Sequence, residues 1–285
     1  MRHARVRAEG VGCYHVVSRI VDRTFRMDDK EKEIFRGMMR RAEAFCGVRV
    51  LTYAVLANHF HLLVEVPERG DVGEAELVRR MTLLYGRAHV ASVRKQWGEW
   101  RRTGAAYLVE EQQDKLRMRM GDISAFVKTL KQRYSMSYNG RHGRRGTLWE
   151  DRFKSVLVEN GEQAKATVAA YIDLNPVRAG IVADPKDYRW SGYGEACGGG
   201  RLARAGLAAV HGSRWTEQPG DWRHVARRYR VLLYTSGGER REAYGDRIVR
   251  PGIAAAEAER VIESGGRLTL QQALRCRVRY FTDGM

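Results

Sequence analysis

The chain is poor in the residues that staple or anchor proteins. Its 285 residues hold four cysteines, Cys13, Cys46, Cys197 and Cys276, widely scattered and never in a C-x-x-C pair. That spacing argues against a zinc knuckle and against a disulfide framework, and it reads as a reducing, cytoplasmic setting. No uninterrupted apolar run approaches the ~18 residues that a membrane helix needs, so no membrane association is expected. Residues 1–10 are basic and polar without an apolar stretch, so no secretory signal is expected. No G-x-x-x-x-G-K-[ST] loop occurs, which argues against a nucleotide cofactor. There is no internal repeat and no low-complexity tract.

What is present is positive charge. Fifty-one Lys and Arg stand against thirty-four Asp and Glu, a net charge of +17, and nine lysines leave forty-two arginines. Such a chain attracts polyanions, and nucleic acid is the usual partner. Arginine offers phosphate a planar fork and stacks on bases. Hydrophobic residues make up 44%, enough for a substantial core in one large domain or two modest ones.

Periodicity predicts an α+β protein. Strands are predicted at 12–20, 48–57, 60–66 and 153–158, from runs of β-formers. Asn58-His59 forms a short link between the second and third, which suggests an antiparallel pair. A helix is predicted over 29–45, where Ile34, Phe35, Met38, Met39, Ala42 and Phe45 recur at helical spacing. A long helical stretch after Gly73 continues into a second run at 122–138. A further helix at 162–174 is announced by Asn160 with Gln163 in a capping-box-like start, and it stops at Asn175-Pro176. The order strand, helix, strand, strand, helix, strand, helix is the split βαβ pattern of a ferredoxin-like antiparallel sheet. A large basic helical insertion occupies 79–138. The expected domains are 1–195, a glycine-marked linker at 196–213, and a small C-terminal helical domain at 214–285 with helices at 253–264 and 267–278. The closing residues RYFTDGM end abruptly after an aromatic pair, so the chain is expected to be incomplete.

The sharpest local feature is His59-Phe60-His61. Strand side chains alternate, so the two imidazoles share a face and Phe60 points to the opposite layer. Such a pair is either a bidentate metal site or two half-buried strand histidines. Tyr171 and Asn175 lie at i, i+4 on one helical face. The Asn175 amide oxygen is a hard neutral ligand suited to Mg2+ or Mn2+ beside imidazole and phosphate oxygens. A phenol near such a metal suits nucleophilic phosphoryl chemistry. It must give its proton to a base, and the sequence identifies none. From helix pattern alone Tyr171 reads first as a core tyrosine.

Five stretches carry a resemblance: YHVVSR at 14–19, AVLANHFHLLVEVP at 54–67, GTLWEDRFKSVLV at 146–158, YIDLNPVRAGIV at 171–182 and DYRWSGY at 187–193. In this order and spacing the chain resembles the HUH-type single-tyrosine transposases, in particular the REP-associated tyrosine transposases, over about two thirds of its length. The resemblance implies a divalent cation, Mg2+ or Mn2+, on His59, His61 and Asn175. It implies Tyr171 as the nucleophile that cuts single-stranded DNA near a hairpin, forms a 5′-phosphotyrosine link and leaves a free 3′-OH. It implies no nucleotide energy source. The chain departs from the shortest members in its basic insertion and in its helical tail.

Segment 131–154 has seven Lys and Arg against two acids, with Tyr134, Tyr138, Trp149 and Phe153 interleaved. Cations alternating with flat rings suit single-stranded nucleic acid. Arg141, Arg144, Arg145, Trp149, Arg152 and Lys154 are therefore expected to grip DNA. Tyr134 is a second candidate nucleophile, more simply read as helix packing. His15 is more simply a satisfied core histidine, and Asn58 is turn chemistry. The stretch 270–278 reads as half of a helix-turn-helix or as a plain packing helix. The protein is expected to act as a monomer or homodimer on hairpin-bearing single strands. The alternative is a non-catalytic DNA-binding regulator on the same scaffold.

Overall fold

The computed structural model describes residues 8–212, 222–241, 248–269 and 272. Strands β1 (Gly12–Arg19), β2 (Arg49–Val55), β3 (His59–Val66) and β4 (Lys154–Val158) form one sheet in the order β2-β3-β1-β4. All three pairings are antiparallel. Helix α1 (Asp29–Cys46) joins β1 to β2, and the third strand slots between them.

Alternation along the strands builds two cores. Tyr14, Val16, Phe60, Leu62 and Val64 face one side, where Phe35 and Phe45 of α1 meet them. Helix α5 (Ile123–Arg141) adds Phe126, Leu130 and Tyr134 to that side. Cys13, Leu51, Ala54 and Leu63 face the other side. There α6 (Glu162–Asp173) contributes Ala166, Ala169, Ala170 and Ile172. Small residues let α6 lie close on the sheet.

The insertion is not two long helices. It comprises α2 (Glu74–Tyr85), α3 (Arg87–Arg102) and α4 (Ala106–Arg117), followed by α5. Gly86, at φ 87°, ends α2 in a conformation a side chain would resist. Helix α6 starts at Gly161 without a side-chain cap, so the expected capping box does not form; Asn160 Nδ2 instead donates to Val11 O. Leu174 separates α6 from a single turn, α7 (Asn175–Arg178).

The expected linker at 196–213 is a structural element. After α8 (Gly192–Cys197), α9 (Arg201–Val210) buries Ala203, Ala205, Leu207, Ala209 and Val210. It rests on β2 so tightly that a Cβ at Gly206 would come within 2.3 Å of Leu51 O. Helix α10 (Trp222–Ser236) places Tyr229 and Leu233 in the same core, so the tail is continuous with the sheet domain there. A short hairpin, β5 (Arg240–Arg241) with β6 (Ile248–Arg250), precedes α11 (Ala255–Glu263). Most of the expected helix at 267–278, its helix-turn-helix reading, Trp215 and Cys276 lie outside the described residues. Among the described residues no helix is long and apolar enough to cross a membrane.

Candidate functional site

The β3 register puts His59 and His61 on the face that α6 covers, with their ring centroids 5.1 Å apart. His15 of β1 shares that face; its Nε2 is 3.0 Å from His61 Nδ1, and the two rings stack at 5.3 Å. Tyr171, in the last turn of α6, sets its ring edge-on to both, 5.9 Å from His61 and 5.8 Å from His15. The Tyr171 side chain is 44% exposed, so it is not the core tyrosine that its helical pattern alone allowed. The Arg178 guanidinium lies 5.1 Å over the Tyr171 ring. Thr167, Tyr171, Asn175, Arg178 and Ser236 line an open groove of about 450 Å³.

The ring nitrogens fit a divalent cation. His59 Nδ1 is 2.7 Å from Asn58 Oδ1, which only accepts, so the proton sits on Nδ1 and Nε2 keeps its lone pair. His15 Nε2 and His61 Nδ1 share one proton, and in the tautomer where His61 Nδ1 donates it, His61 Nε2 keeps its lone pair as well. Both rings are neutral at pH 7. Burial, with Arg19 opposite, pushes His59 down to about 4. Burial, with His59, His15 and Arg19, pushes His61 down to about 3. Asn175 Nδ2 donates to Tyr171 O at 2.9 Å and to Ile172 O at 3.2 Å, so its Oδ1 is not used by these bonds. Two imidazoles and an amide oxygen suit Mg2+ or Mn2+. Among the described residues no group of three His, Cys, Asp or Glu is placed to hold a metal.

Beneath the site, Asp173 is fully buried. Its carboxylate accepts from Thr52 of β2 at 2.7 Å, Tyr229 of α10 at 2.6 Å and the Tyr193 backbone N–H at 3.0 Å. Burial raises its pKa to about 6 despite these donors. The sequence reading did not assign it a role; the signal was an acid inside the apolar run between Tyr171 and Asn175. His15 and Asn58 also exceed their sequence readings, since each orients one imidazole.

The expected DNA-gripping residues divide. Arg145, Arg152 and Lys154 are exposed, and among the described residues no carboxylate pairs with them. Lys154 lies opposite Val17 in the β1–β4 register, on the histidine face. Arg144 is half-buried, 3.4 Å from Asn139 Oδ1. Arg141 is committed elsewhere: it pairs with Glu31, 2.6 Å away and 2% exposed, which also holds His142 and the Tyr134 hydroxyl. Trp149 is 7% exposed and donates its indole N–H to Lys131 O and Ser135 Oγ, so its ring fills the core rather than offering a stacking face. Tyr134 is fully buried, and burial beside Glu31 drives its hydroxyl far above the ordinary phenol range, which removes it as a nucleophile.

No protein-family model matches the chain, and no curated protein matches it. Among solved structures it is similar to a REP-associated tyrosine transposase bound to a REP hairpin. The identity is 16%, the match covers 68% of this chain and 84% of that one, and the TM-score is 0.43.

Proposed function

We propose that the protein is a metal-dependent single-stranded DNA endonuclease and strand transferase of the HUH tyrosine type, acting on hairpin-bearing DNA. The β2-β3-β1-β4 order, with α1 and α5 on one face, is read as a ferredoxin-like sheet whose other face carries the chemistry. One observation carries the proposal: the half-exposed Tyr171 ring stands 5.9 Å from the His61 ring, although the two come from different elements far apart in the chain.

His59, His61 and Asn175 would hold Mg2+ or Mn2+, which supplies charge neutralisation at the scissile phosphate. Tyr171 supplies the nucleophile. Its hydroxyl oxygen bonds to phosphorus as the P–O3′ bond breaks; the phenolic proton passes to water, and the leaving oxygen takes one up as a 3′-OH. Arg178 keeps positive charge beside the Tyr171 ring, where a phosphate must approach. Asn58 and His15 fix the two imidazoles, and Asp173 fixes the end of α6.

The test is a denaturing gel of the protein with hairpin-bearing single-stranded DNA and Mn2+. Wild type is expected to give a protein–DNA adduct and Tyr171→Phe none; an adduct with the variant overturns the nucleophile. The second reading, DNA binding without cutting, draws on the short donor set, two imidazoles and an amide. Binding with no cleavage across a divalent-ion titration would establish it.

A further inference from the structure

Phe25 is the most exposed large apolar side chain among the described residues, at 82%. Single exposed hydrophobics are ordinary, and Tyr107 and Leu83 on regular helices need no special account. Phe25 differs in its setting. It sits in the loop between β1 and α1, where Asp22 (φ 58°) and Arg23 (φ 53°) are consecutive residues in the left-handed region. Among the described residues they are the only non-glycine residues with positive φ. Two such residues are unfavourable unless the surroundings impose them.

The surroundings do impose them. Ile20 N–H donates to Asn58 O, Val21 N–H to Leu148 O, and both Arg26 and Met27 N–H to Ala57 O, at 2.8–3.0 Å. Met27 is buried and anchors the far end. Asn58 Nδ2 donates to Arg23 O at 3.0 Å while its Oδ1 accepts from His59 Nδ1 at 2.7 Å. One amide therefore ties the loop to a proposed metal ligand. The ring stands exposed on a loop that holds two left-handed residues and is hydrogen-bonded to the segment preceding His59.

Charge completes the picture. Arg19 is exposed opposite His59 in the β1–β3 register. The Arg23 side chain is 69% exposed, with Glu150 no nearer than 3.9 Å. Residues 148–150 run alongside 19–21, through Val21 N–H to Leu148 O and Glu150 N–H to Arg19 O. The segment carrying Arg145 and Arg152 therefore borders the loop. An exposed ring on a loop that carries Arg23, follows Arg19 and is bordered by the 145–152 segment suits an unpaired nucleobase with its phosphates.

We infer that Phe25 is a base-stacking platform: the loop takes one unpaired base of a single strand whose backbone passes the His59–Tyr171 site. The inference rests on the reading of the protein as one that acts on single-stranded DNA. Its test compares oligothymidine with the matching abasic oligomer, by fluorescence anisotropy on the full chain. Wild type is expected to prefer oligothymidine. Phe25→Ala should bind oligothymidine about five- to a hundred-fold more weakly and lose the preference, while Phe25→Tyr keeps it. Phe25→Ala that keeps both affinity and preference overturns the platform and leaves the DNA reading intact. Wild type that binds neither oligomer overturns both. Self-association of wild type abolished by Phe25→Ala, with DNA binding unchanged, assigns the ring to a protein interface instead.

Discussion

A nucleophile on the last turn of a helix is only as well placed as the turn itself. Asp173 sets that turn by accepting three hydrogen bonds, from β2, α8 and α10, within two residues of both Tyr171 and Asn175. All three partners donate to it, so a side chain with no acceptor leaves a buried N–H and two buried hydroxyls without their partner. Asp173→Ala is therefore expected to lower stability by roughly 1–3 kcal/mol, measured by chemical denaturation. An unchanged midpoint would show that the carboxylate does not brace the site. The residues that could be read from the chain are those with a period: His59 and His61 two apart on a strand, Tyr171 and Asn175 four apart on a helix. Asp173, His15 and Asn58 could not be read that way, because their partners or roles arise only when separate strands and helices meet. Arg141 misled for the same reason, since Glu31 lies 110 positions away.

At the scale of elements, apolar rhythm foretold the four strands, α1, α5 and α6. It ran the insertion's first helices together, because the apolar spacing continues on both sides of the break at Gly86. It also mistook α9 for a linker, since its small residues register as flexible although they pack against β2. Helix α10 is latched to the sheet domain by Arg230, 1% exposed, whose guanidinium donates to both oxygens of Asp184 at 2.9 and 3.1 Å. Burial pushes the Asp184 carboxyl up, but Arg230 and Lys186 outweigh it and hold the pKa below the usual range. A carboxyl depressed in the folded state stabilises above its unfolded pKa of about 3.9 and loses that contribution as pH falls through the folded value. The α10 amides are accordingly expected to lose hydrogen-exchange protection in acid before those of β3 do. Arg230→Ala, which leaves the buried carboxylate with Lys186 alone as its cation and cuts its tie to α10, should release them at neutral pH. Simultaneous loss in α10 and β3 along the acid titration would show that the pair is not a latch.

Across the whole molecule, the net charge of +17 predisposes every face to polyanions, so affinity alone does not locate a DNA path. Ionic strength does, because each phosphate neutralised on a single strand adds about −0.7 to the slope of log affinity against log salt. Two exposed basic sets can be compared. Lys154 lies on the histidine face, with Arg145 and Arg152 in the segment that leads into its strand, whereas Arg87, Arg94 and Lys95 lie on α3 of the insertion. Both sets carry the same formal charge, so replacing either with alanine changes the molecule's long-range field by the same amount. Only the set in contact with the strand should flatten the slope. With oligothymidine, the first triple variant is expected to lower the slope by up to about 2 and the α3 triple to leave it near wild type. The reverse result would move the DNA path onto the insertion, away from Tyr171, and would separate binding from the proposed chemistry. Equal small changes from both sets would mean that the charge acts through the global field alone.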